Sequence, residues 1–125
     1  MNKEFTTYEQ ALALKELGFD EPCFGWWFSD EEMLIIEKST KSTSENIIQA
    51  PTYSQAFRWF REKYDLRIWI ESNYGILKFE YVIATTNFNF IDKQFNDLSG
   101  YKTYEEAESA CLDKLIEIVK NKQDE

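Results

Sequence analysis

Histidine is absent from all 125 residues. That single absence removes Ser-His-Asp triads, Cys-His dyads, His-ligated zinc and imidazole general bases from the chemistry this chain can perform alone. Cysteine is scarce: Cys23 and Cys111 are the two, far apart in sequence. No apolar run approaches the roughly 20 residues that span a bilayer. The opening Met1-Asn2-Lys3-Glu4-Phe5 is polar and leads into no apolar segment of the kind a secretory leader needs. These absences lead to the expectation of a cytoplasmic, reduced protein with free thiols. The four glycines stand scattered at 18, 25, 75 and 100, so no glycine-rich phosphate loop is present.

What is present is aromatic and acidic. Hydrophobic residues make up 43% of the chain and aromatic ones 17%, with ten Phe, seven Tyr and four Trp. Charged residues make up 30%, and the mean hydropathy is -0.54. A single domain over residues 1–125 is expected, because domains typically hold ~100–150 residues. Such a chain buries about two thirds of its unfolded surface, enough for a core without metal or disulfide staples.

Fourteen basic residues against 23 acidic ones give a net charge of -9. Residues 1–50 carry four Lys and ten Asp or Glu, a balance of -6, and residues 51–125 carry the remaining -3. Duplex nucleic-acid binders concentrate positive charge, so duplex binding is not expected. Docking on an anionic membrane is not expected either. An acidic surface steers a protein toward basic partners.

One motif recurs. Thr7-Tyr8-Glu9-Gln10-Ala11, Thr52-Tyr53-Ser54-Gln55-Ala56 and Thr103-Tyr104-Glu105-Glu106-Ala107 share Thr-Tyr-x-(Gln/Glu)-Ala. Each fits a capping box: the Thr hydroxyl accepts from a first-turn amide, and Gln or Glu three residues on reaches back to the cap amide. Three helix starts are therefore expected. The segments between the boxes do not match, so a good cap used three times explains the motif better than an internal repeat.

Periodicity supports the helices. Tyr53, Ala56, Phe57, Phe60 and Tyr64 fall on one stripe, as do Tyr104, Ala107, Cys111, Leu115, Ile118 and Val119. The stripe after Thr7 is Tyr8, Ala11, Leu12, Leu14 and Leu17. Gly18 should end that helix in a left-handed turn, with Phe19 folding back. Elsewhere the period is two. Residues 67–71 and 77–83 read as strands turned at Asn73-Tyr74-Gly75. Phe88 to Phe90 suggests a third short strand. Phe24 to Phe28 and Met33 to Glu37 read as a hairpin turned at residues 29–32. The polar segment 39–46 reads as a mobile loop. The expected class is α+β, an antiparallel sheet with three helices in the order α-β-β-α-β-β-β-α.

Candidate binding residues are few. Arg58, Arg61 and Arg67 form the basic cluster, with Trp59 and Trp69 beside them. Arginines beside exposed aromatics suit a phosphate and a stacked base. The competing reading is a solvated face paired with Glu62, Asp65 or Glu71. Trp26 and Trp27 are adjacent and point to opposite faces of any strand, so only one faces the core. An exposed Trp is a frequent interface anchor. Cys23 follows two acids and lacks a base, so an inert thiol is expected. Asp30-Glu31-Glu32 lacks the alternating ligands and Gly of a calcium loop, and no metal site or cofactor is expected.

Segments 14–23, 50–64 and 103–112 resemble small proteins of phages and prophages of Bacteroides-type bacteria, the central one most specifically. The resemblance touches both ends and the middle of the chain. That group has no assigned activity, so it transfers no catalytic or binding residues. It implies a setting, an accessory phage gene expressed in the cytoplasm of a host bacterium. The reading that follows is a non-enzymatic binding protein, with counter-defence as its role. It would capture a small anionic ligand of nucleotide type or block a host protein, in the latter case through its acidic N-terminal half. The alternative is a structural or nucleic-acid-associated module of a phage assembly, since the last five elements have the order of a double-stranded-RNA-binding domain. A homodimer is a further expectation, because aromatic-rich edge strands are pairing surfaces.

Overall fold

The computed structural model describes residues 2–28, 33–40, 47–73, 78–85, 90–93 and 100–123. After a short 3-10 turn at Asn2–Glu4, the elements are α1 (Tyr8–Glu16), β1 (Cys23–Phe28), β2 (Met33–Thr40), β3 (Ile47–Ala50), α2 (Tyr53–Tyr64), β4 (Arg67–Asn73), β5 (Lys78–Ala84), β6 (Phe90–Lys93) and α3 (Tyr104–Gln123). The α+β class holds. The order among the described residues is α-β-β-β-α-β-β-β-α, one strand more than expected. The strands form two three-stranded antiparallel sheets, β2-β1-β3 and β4-β5-β6, where one sheet was expected. The additional strand, β3, is four residues long, ends at Pro51, and exists through its pairing with β1. So short a segment carries no periodicity that marks it in advance. Residues 39 and 40, expected in a loop, extend β2; Asn73, expected in a turn, ends β4; and the strand expected at 88–90 is described as Phe90–Lys93, while 29–32, 41–46, 74–77, 88 and 89 lie outside the described residues.

All three helices begin one residue after their Thr. Thr7 Oγ1 accepts from the Gln10 amide at 3.1 Å, and Gln10 Oε1 accepts from the Thr7 amide at 3.1 Å, a complete capping box. Thr52 and Thr103 accept from the Gln55 and Glu106 amides at 3.2 and 3.1 Å. At the second box the Gln is diverted: Gln55 Nε2 donates to Glu21 Oε1 and to the Pro22 carbonyl. Helix α1 ends as expected. Gly18 has φ 105°, its amide bonds to the Lys15 carbonyl, and the Phe19 amide bonds to that of Leu14. That is a Schellman closure, and Phe19 and Leu14 are both buried.

The chain divides into two compact units, residues 1–56 and 57–125. In the first, Trp27, Leu34, Ile48 and Ala50 share one face of the β2-β1-β3 sheet, and with Tyr8, Ala11 and Leu12 of α1 they form one apolar cluster. In the second, Phe60, Leu66, Ile83, Leu112, Leu115 and Val119 are fully buried. Strand β5 lies between β4 and β6 and is buried on both faces from Glu80 to Ala84, so its alternation of residue types did not mark a wet face. Tyr104, read as part of the stripe, is 47% exposed, while its ring meets Phe79 edge-to-face. No helix among the described residues is long and apolar enough to cross a membrane.

Candidate functional site

Arg58 and Arg61 stand three residues apart on α2, on one exposed side of the helix. Arg58 Nε lies 3.5 Å from Glu62 Oε1, one helical turn on. Trp59, between them, belongs to the buried side: it is 7% exposed and meets Phe60 and Tyr64 edge-to-face at 5.0 and 5.5 Å. The cation over its ring is Lys63, 5.1 Å from the centroid. Trp59 therefore anchors its own helix and offers no open platform for a base.

Arg67 and Trp69 share a face of β4, as their spacing requires. Arg67 Nε is 3.7 Å from Asp65 Oδ1. Trp69 is 37% exposed and its indole Nε1 donates to Glu71 Oε1 at 2.7 Å. Glu71 lies on the same face, directly opposite Glu80 of β5. Two carboxylates beside Arg67 and Trp69 oppose a phosphate rather than attract one.

Trp26 and Trp27 occupy opposite faces of β1, both half-buried. Trp27 faces α1; its Nε1 donates to the Thr6 carbonyl at 3.2 Å and its ring meets Tyr8 edge-to-face at 6.2 Å. Trp26 faces the other way and packs on Phe28 at 4.8 Å. The register puts Trp26 and Phe28 of β1 on one face with Met33 and Ile35 of β2 and Ile47 and Gln49 of β3, and Phe24 precedes them at the irregularity between Cys23 and Gly25. Phe24 is 59% and Met33 48% exposed, so this face presents apolar groups to solvent.

Trp27 also walls a cleft of about 270 Å³ lined by Phe5, Thr6, Thr7, Tyr8, Glu9 and Leu34. Thr6 is wholly buried and its Oγ1 has no hydrogen-bond partner. Glu9 is exposed in the first turn of α1. The sequence marked Thr7, Tyr8 and Glu9 as parts of a capping box and, of these residues, gave only Trp27 a binding role. The available signal was the Thr6-Thr7 doublet, in which one Thr caps the helix and the other is left over.

Cys23 is buried, and its thiol donates to the Glu21 carbonyl at 3.3 Å. Burial, with the Glu21 charge adding to it, pushes the thiol up to about 12, against a smaller opposing bond from Gln55. A nucleophilic role needs the opposite shift. Among the described residues no group of three or more acidic or Cys side chains is placed to hold a metal ion. No family model, curated protein or solved structure matches the chain.

Proposed function

We propose that the chain is a non-enzymatic binding protein, a phage accessory factor that blocks a host protein in a bacterial cytoplasm, with counter-defence as its role. The observation that carries this reading is the apolar face of Phe24, Trp26, Phe28, Met33 and Ile35. It lies in the unit of residues 1–56, which holds four Lys against ten acidic residues. Aromatic anchors in a unit of net negative charge suit a polypeptide partner whose own surface mixes apolar and basic groups. Capture of a nucleotide is the weaker version. Arg58 and Arg67 face nearby carboxylates, and Trp59 is packed away.

The test places a photo-crosslinking residue at position 35, opposite Trp26 on the same face, and exposes the protein to host-cell extract. The reading expects crosslinks to one host protein through a lysine- or arginine-rich segment. It also expects their loss in a Phe24→Ser/Met33→Ser variant whose circular dichroism is unchanged. Crosslinks only between copies of this chain would replace a host partner with a homodimer. Crosslinks to many unrelated proteins, insensitive to the double variant, would overturn the reading. The assembly-module alternative rests on the order α2-β4-β5-β6-α3, but α3 opens with Glu105 and Glu106, which repel phosphates. A gel shift with double-stranded RNA is expected to show no retardation.

A further inference from the structure

We propose that the cleft between α1 and β1 takes the side chain of one arginine or lysine from a basic polypeptide. The inference rests on the binding reading above and adds a second contact for a basic partner, on the Trp27 face of the sheet, opposite the Trp26 face. Size comes first. Pockets that enclose drug-sized ligands run to ~300–1,000 Å³. At about 270 Å³ this cleft fits a single long side chain better than a nucleotide. Its lining comes second. Phe5, Trp27 and Leu34 give apolar and aromatic walls for an alkyl stem, and Glu9 gives a carboxylate for a cationic head. Glu9 forms no ion pair with any described residue, so its charge is not already matched by a neighbour. The walls are also held in place before binding. Trp27 is fixed by its bond to the Thr6 carbonyl and by Tyr8, and Thr7 is fixed by the capping box. Preorganised walls lower the ordering cost of binding. The lining holds no basic side chain, so nothing in it competes for Glu9.

The probe is Nα-acetyl-arginine amide, titrated into the full chain and followed by amide and indole NMR. The Trp27 indole and the Tyr8 and Glu9 amides are expected to shift together. Nα-acetyl-citrulline amide, of the same shape without charge, should bind at least about tenfold more weakly, as expected when a charge-assisted bond becomes neutral. Glu9→Gln, at an exposed position that leaves the core alone, should weaken arginine amide by a similar factor and leave the melting temperature within a degree or two. Equal shifts with citrulline amide, or an unchanged affinity in Glu9→Gln, would overturn the subsite. The two readings fail separately. If arginine amide leaves Trp27 untouched while Phe24→Ser/Met33→Ser still abolishes the host crosslinks, the cleft proposal falls alone. If the crosslinks are indiscriminate while arginine amide binds, the sheet-face reading falls.

Discussion

At the scale of single residues, two backbone positions carry sharp expectations. A Cβ on Gly25 would stand 2.8 Å from Cδ1 and Cε1 of Phe5 and 3.3 Å from the Ala50 carbonyl oxygen. Phe5 is 8% exposed, so its ring has little room to retreat. Gly25→Ala is therefore expected to cost about 1–3 kcal/mol by overpacking, measured by urea denaturation. An unchanged midpoint would mean that Phe5 moves freely. Asp65 has φ 56°, the left-handed conformation that closes α2 where Gly commonly stands. Asp tolerates it better than branched residues do. Asp65→Val should cost about 1–2 kcal/mol, the left-handed penalty. Asp65→Gly should stay within about 1 kcal/mol of the parent, because Gly adopts the left-handed conformation freely and the pair with Arg67 is half-exposed. Cysteine chemistry belongs here too. Cys23 and Cys111 are both buried and free, so Ellman's reagent should find no thiol in the native protein at pH 8 and two in denaturant. The raised Cys23 value also fixes a sign. Between pH 9.0, the ordinary value of the thiol, and about 12 the folded state holds this proton while the unfolded state releases it. That contribution to stability is complete below pH 9 and is lost as pH rises toward 12.

At the scale of elements, the caps test how much local sequence decides. Thr7→Ala removes one half of a complete box, and Gln10, its other half, also accepts from the Tyr53 hydroxyl at 2.8 Å. Thr103→Ala removes one exposed bond. Both should destabilise, within the ~0.5–2 kcal/mol of N-cap substitutions, and Thr7→Ala by more. Equal losses would show that the buried Gln10 adds nothing to its cap. In α3 the Glu108 carboxyl is raised, by burial first and then by Glu105 one turn earlier. Its contribution is complete at low pH and lost as pH rises through the raised value. Glu108→Gln is thus expected to raise the melting temperature at pH 7 and to leave it unchanged at pH 4. These elements also show what the sequence made legible. Helix starts were readable because a cap and its box are local, within four residues. Strands β4 and β5 were readable because alternation survives over seven residues. Strand β3 was not, because Ile47–Ala50 becomes a strand by pairing with β1, a long-range partner no local pattern reveals. The same holds for the candidate site. Trp26 and Trp27 were singled out, but the face Trp26 shares with Met33 and Ile35 is set by register. Thr6, Glu9 and Trp27 line one cleft only through long-range packing.

At the scale of the whole molecule, charge is the property that separates the rival partners. The chain carries -9, and four Lys against ten acids put -6 of it within residues 1–56. The ion pairs Arg58–Glu62, Arg67–Asp65 and Lys114–Glu117 are solvent-facing and at 3.5–3.7 Å. Such pairs contribute little, so adding salt mainly relieves self-repulsion. The melting temperature should therefore rise between about 0.01 and 0.15 M salt, as the screening length falls from ~30 to ~8 Å. The same field acts on approach. A basic polypeptide is drawn in, and its association rate must fall as salt is added. A nucleotide is repelled by the net charge, so its association rate must rise under the same screening, unless a local basic site overrides the global field. Here Arg58 stands beside Glu62 and Arg67 beside Asp65. Stopped-flow mixing with an arginine-rich peptide and with a labelled nucleotide, each across this salt range, reads the two slopes directly. A negative slope for the peptide, with no measurable nucleotide binding, is expected. A nucleotide that binds and slows with salt would restore Arg58, Arg61 and Arg67 as a working anion site and overturn the preference for a basic partner.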